Sequence, residues 1–151
     1  MTSPLQERMR IDGQDRTTLL AAAHRLAAAG GGLPAVMAGL QAEFGLGEEA
    51  AGELAAAAFG ISAISLAEMS GHSLALTLAP FAEFVRRQAL VLEVGEAYLI
   101  ATPNPFDAVL RDWLEGLVPL GKPLLWRVAA PSVLAAYLAR EESQVRALDG
   151  S

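Results

Sequence analysis

The chain has 151 residues, 53% of them apolar, and a formal net charge of −6 from 17 acidic and 11 basic side chains. That length and apolar content suit one domain or two small subdomains with a buried core, and they exclude a disordered chain. The acidic balance argues against a nucleic acid partner, because phosphate attraction needs a concentrated basic surface, and the absence of cysteine excludes disulfides and thiolate chemistry.

In chain order, residues 1–14 lack periodicity and read as a flexible leader. The run from Arg16 through Ala29 is rich in helix formers, and Gly30-Gly31-Gly32 stops it as a glycine cap would. After Leu33-Pro34, the residues Leu33, Val36, Met37, Leu40 and Phe44 recur at helical spacing and make one apolar face. Gly45-Leu46-Gly47 turns the chain, and Glu48-Glu49 place acids at the positive end of a third, alanine-rich helix that ends near Ala58. Residues 15–60 are therefore expected to form a helical subdomain.

The pattern then changes. Residues 61–66 read as a short strand, 67–77 carry no clear period, and Pro80 starts a helix that ends at Arg87. Residues 89–94 and 97–101, joined at Gly95-Glu96, read as a β-hairpin. Asn104 is the expected N-cap of the next helix, with Pro105 at its first position. That helix is expected to turn Phe106, Val109, Leu110, Trp113, Leu114 and Leu117 to the core and Arg111, Asp112 and Glu115 to solvent. A turn at 119–123, a strand at 124–128 and a helix at 131–142 complete a small α/β subdomain over 61–142. Residues 143–151 are expected to be a tail or linker. The fold class predicted is α+β: three helices, then a small mixed sheet covered by helices.

No apolar run reaches the roughly 20 residues of a membrane span, and the opening residues are polar and charged, so a cytoplasmic chain without direct membrane insertion is expected. The glycine triplet lacks the Lys-Ser/Thr of a phosphate loop, which removes ATPase machinery. His24 and His72 are the only imidazoles. His24 stands mid-helix beside Arg25, where solvent is its expected surrounding. His72, in Ser70-Gly71-His72-Ser73, is the one weak catalytic candidate, set against a plain surface turn. Glu48-Glu49 and Glu141-Glu142 are sequence neighbours, which on a helix do not face one site. Trp113 and Trp126 fall on apolar faces and read as core. Arg86 and Arg87 either complement a helix C-terminus or contact a partner, since arginine is favoured at interfaces. No catalytic residue, cofactor or metal site is expected, and Arg86 and Arg87 are the candidate partner-binding residues.

The segments Pro80-Phe81-Ala82-Glu83-Phe84-Val85-Arg86-Arg87, Ala101-Thr102-Pro103-Asn104-Pro105-Phe106-Asp107 and Gly121-Lys122-Pro123 resemble the N-terminal, or MshEN-like, domain of type II secretion ATPases, the GspE family. Gly45-Leu46-Gly47-Glu48-Glu49, Leu54-Ala55 and Phe59-Gly60-Ile61-Ser62 extend the resemblance, which covers about residues 17–140. The resemblance implies a non-catalytic regulatory domain that docks to the cytoplasmic portion of an inner-membrane secretion-system protein. It places the domain in the cytoplasm at the inner face of that membrane. Some members of the family bind cyclic di-GMP through paired motifs that begin in arginine and end in glutamine, and the module also occurs with membrane glycosyltransferases and pilus ATPases. Here those two positions fall on Ala35 and Ala58, so cyclic di-GMP is not expected and remains the alternative reading. A stand-alone enzyme is the third reading, and no convergent His/Asp/Ser set favours it.

Overall fold

A computed structural model of the protein describes residues 10–11 and 13–149. The chain divides into two compact units, Met1–Ser62 and Ala63–Ser151. Most of the expected leader lies outside the described residues. Its described part makes a two-stranded antiparallel ladder, β1 (Arg10–Ile11) with β2 (Gln14–Asp15).

The first unit is built on three helices: α1 (Arg16–Ala28), α2 (Leu33–Phe44) and α3 (Glu48–Ala58). The Asp15 carboxylate caps α1 by accepting from the Thr17 amide at 3.0 Å, satisfying a donor that the first helical turn leaves unpaired. At the other end the chain leaves the helix through Gly30 at φ 92°, so the glycine stop read from the sequence is realised. Leu33, Val36, Met37 and Leu40 are buried as their spacing predicts, and Phe44 is half-buried. A Cβ on Gly39 would stand 3.0 Å from a methyl of Leu26, so the missing side chain is what lets α1 and α2 approach.

The second unit carries a five-stranded sheet in the order β3-β7-β6-β5-β4. Its strands are β3 (Ser62–Ala63), β4 (Ser73–Leu74), β5 (Leu90–Val94), β6 (Ala97–Thr102) and β7 (Leu124–Val128). The hairpin β5–β6 turns at Gly95 and pairs Val94 with Ala97, as expected from the sequence. β6 and β7 run parallel, Tyr98 opposite Leu124 through Thr102 opposite Val128, with α6 (Ala108–Leu117) as the crossover between them. α4 (Leu66–Ser70), α5 (Phe81–Arg87) and α7 (Pro131–Asp149) complete the unit. Leu90, Val91, Leu92 and Ile100 are fully buried and form one core with Phe84, Leu114, Leu134 and Tyr137. Among the described residues there are seven helices, one mixed sheet and one small antiparallel ladder, an α+β fold.

Four local expectations differ from this structure. The strand expected over 61–66 is cut to two residues because the Ser65 hydroxyl accepts from the Glu68 amide at 3.2 Å and starts α4 instead. The helix expected from Asn104-Pro105 starts later. Asn104 only closes a turn, accepting from the Phe106 amide at 3.2 Å, while Asp107 accepts from Leu110 at 3.0 Å and is the N-cap. The apolar face of α6 is consequently Leu110, Trp113, Leu114 and Leu117, and Val109, expected in the core, is 74% exposed. Where a tail was expected, α7 continues to Asp149, supported by an Arg146–Glu142 ion pair at 2.7 Å one turn apart.

Candidate functional site

Arg86 and Arg87 end α5, where Gln88 takes a left-handed conformation at φ 54°. Both reach back to one carboxylate: Arg86 Nη2 lies 2.8 Å and Arg87 Nε 3.1 Å from Glu83 Oε2. Those two donors, Arg86 first and Arg87 second, hold the Glu83 carboxyl below its ordinary pKa. Arg87 also lies 4.4 Å over the Trp113 ring, which meets Phe84 edge-on with centroids 6.2 Å apart. Arg86 is the more exposed of the pair, with 64% of its side chain open to solvent.

Trp126 is half-buried on β7 under a second arginine. The Arg111 guanidinium lies 4.3 Å from its ring centroid and 5.9 Å from that of Phe106, and its Nε donates to the Pro105 carbonyl. Arg111 is therefore half-buried in an aromatic stack, where the sequence had placed it in solvent. The reason is the late start of α6, which leaves Pro105 and Phe106 in a turn beside its first residues.

His72 sits in the stretch that lacked periodicity, between α4 and β4. Its carbonyl accepts from the buried Tyr137 hydroxyl of α7 at 3.0 Å. Burial first, and then the charge and hydrogen bond of Glu141, push the Tyr137 pKa well above its usual range, so the hydroxyl stays protonated and donates. Next to it, Arg140 Nη1 donates to Ser70 Oγ at 2.7 Å, and that hydroxyl donates in turn to the Leu66 carbonyl at 2.7 Å. Together these residues border a cavity of about 350 Å³, which Ser73, Glu141 and Gln144 also line. Tyr137, Arg140, Glu141 and Gln144 follow one another at i, i+3, i+4 and i+7, so α7 presents them on a single face.

His24 is exposed on α1. Among the described residues no group of three or more His, Cys, Asp or Glu side chains is placed to hold a metal ion, and no helix is long and apolar enough to cross a membrane.

Of known structures, that of MshE with cdg matches this chain with a TM-score of 0.55 over 90% of this chain and 94% of the other, at 21% identity. The fold is that of MshE. The N-terminal domain of XpsE matches over 90% of this chain and 88% of its own, at 21% identity and a TM-score of 0.47. No family model and no curated protein matches the sequence. The resemblance to N-terminal domains of secretion ATPases read from short motifs thus holds as a likeness of fold to MshE. The same likeness overturns the expectation against cyclic di-GMP, because MshE was solved with cdg, the cyclic dinucleotide c-di-GMP. That expectation rested on two side-chain positions, Ala35 and Ala58.

Proposed function

We propose that this chain is a non-catalytic regulatory and docking domain of the kind found at the N-termini of secretion ATPases, acting in the cytoplasm at the inner face of the inner membrane through a partner protein there. The observation that carries the reading is the shared fold with MshE over nearly the whole of both chains. Arg86 and Arg87 are the residues proposed to meet the partner. The Arg86 side chain is solvent-exposed and its pair with Glu83 is worth little by itself, which lets an acidic partner surface take up Arg86 at small cost, while Arg87 stands beside it, half-buried over Trp113. The test is binding to the cytoplasmic portion of the cognate inner-membrane protein, with charge reversal at both arginines. Loss of binding in Arg86→Glu/Arg87→Glu, with an unchanged circular dichroism spectrum, supports the reading. Undiminished binding overturns it.

A second reading is favoured by the ligand of MshE: this domain also binds c-di-GMP. Guanine and phosphate are matched by guanidinium groups, through stacking and paired hydrogen bonds. The helical unit offers Arg16 and Arg25, now bound to Glu53 and Glu43 at 2.7 Å each. Calorimetry with c-di-GMP is expected to give saturable binding that Arg16→Ala or Arg25→Ala weakens. No heat at any ligand concentration tested would remove this reading and leave the docking role standing.

A further inference from the structure

The cavity between the Ser70–Leu76 segment and α7 is used by neither reading. It lies wholly inside the second unit, and its volume of about 350 Å³ falls in the range of small-ligand sites. Its rim carries opposite charges side by side, Arg140 and Glu141. Arg140 has no ion-pair partner among the described residues, and its hydrogen bond to Ser70 is to a neutral hydroxyl. In a chain with six more acids than bases, an arginine held in place but not neutralised is an open position for an anion. Glu141, which lines the same cavity, sets a limit on that anion. A dianion such as phosphate would gain from Arg140 and lose to Glu141, whereas a carboxylate carrying its own ammonium a short distance away satisfies both. Gln144 and Ser73 add neutral donors and acceptors, and buried Leu74 and half-exposed Leu76 give the cavity an apolar wall.

We propose that this cavity is a binding site for a small zwitterion of the α-amino acid class, its carboxylate on Arg140 and its ammonium on Glu141. The Tyr137–His72 and Arg140–Ser70 bonds fix α7 against the turn, so the Arg140 guanidinium stands in place before the ligand arrives.

The test is an amide NMR titration of the full chain with single amino acids of increasing side-chain size, up to about 10 mM, the weak end of small-ligand affinity. Each binder is then compared with the carboxylic acid lacking its amino group and with inorganic phosphate. The expected result is that at least one amino acid shifts amides within 70–76 and 137–144. Arg140→Gln should abolish this, Glu141→Gln should weaken it by roughly tenfold, and the deamino acid and phosphate should bind at least that much more weakly. Arg10→Gln, on β1 in the other unit, serves as the control and should change nothing. The proposal is overturned if no amino acid binds, if the deamino acid or phosphate binds as well, or if binding survives Arg140→Gln. It stands or falls separately from the c-di-GMP reading, whose probes and variants are different.

Discussion

In the helical unit the buried positions of α3 are Ala51, Gly52, Leu54, Ala55 and Ala56, whereas the sheet unit is filled by Phe84, Leu90, Leu92, Ile100, Leu114 and Tyr137. Both units exclude water from their interiors, but by different means. In the helical unit the alanine face of α3 and Gly39 against Leu26 bring backbones close together beside the larger Leu19, Leu33, Leu40 and Leu54, whereas the sheet unit keeps its elements apart and fills the space between them. The contrast teaches that the alanine face of α3 and the core of the sheet unit are vulnerable to opposite changes: addition of volume at the first, removal of volume at the second.

The largest effect is expected from Phe84→Ala, which empties a fully buried site at the centre of the sheet unit and should cost about 3–5 kcal/mol in chemical denaturation. Ala55→Leu applies the converse to the fully buried face of α3 and should cost about 1–3 kcal/mol by overpacking. A neutral result for Ala55→Leu would show that the helices separate freely, which would break the comparison. Next comes Arg111→Ala, expected to cost about 1–2 kcal/mol through the lost stack on Trp126 and the bare ring it leaves. Asp107→Ala should cost about 1 kcal/mol and Asn104→Ala distinctly less, which separates the true cap of α6 from the turn before it.

The smallest effect is a pH dependence at Glu83. Its carboxyl titrates below its ordinary value of 4.5 because Arg86 and Arg87 bond to the charged form. Above that value the folded and unfolded chains are both ionised there and the stabilisation is fully present. As pH falls through the folded pKa, the unfolded chain has already taken up its proton and the stabilisation is lost. A shallow decline in unfolding midpoint over acidic pH is expected, and Glu83→Gln should remove that part of it.

The sequence was most legible where local chemistry decides. The glycine stop after α1, the apolar face of α2 and the Gly95 hairpin depend on residues only a few positions apart, and each formed as read. Legibility failed where two local signals competed. Asn104 and Asp107 are both good caps, and Pro105 made the first more conspicuous, yet Asp107 lies against the run that forms α6. The half-buried setting of Arg111 was hidden for a different reason. Its partner Trp126 lies across the crossover on β7, a pairing that no helical periodicity encodes. The cavity beside His72 was half visible: the spacing of Tyr137, Arg140 and Glu141 was there to be read, but Gln144 fell in the residues expected as a tail and the opposing wall came from 67–77, which shows no period because it folds into one short helix, a turn and a two-residue strand.

The two outermost strands of the five-stranded sheet, β3 and β4, are two residues long each, while the interior strands β5, β6 and β7 run to five or six. A foreign chain seeking to extend the sheet finds only a short row of main-chain groups at either border, too little to hold an added strand in register. The Leu-Val-Leu run of β5 lies on an interior strand, with β4 and β6 on its two sides. The brevity of the border strands therefore works against edge-to-edge pairing with other chains, and lengthening either one is expected to raise the tendency to aggregate.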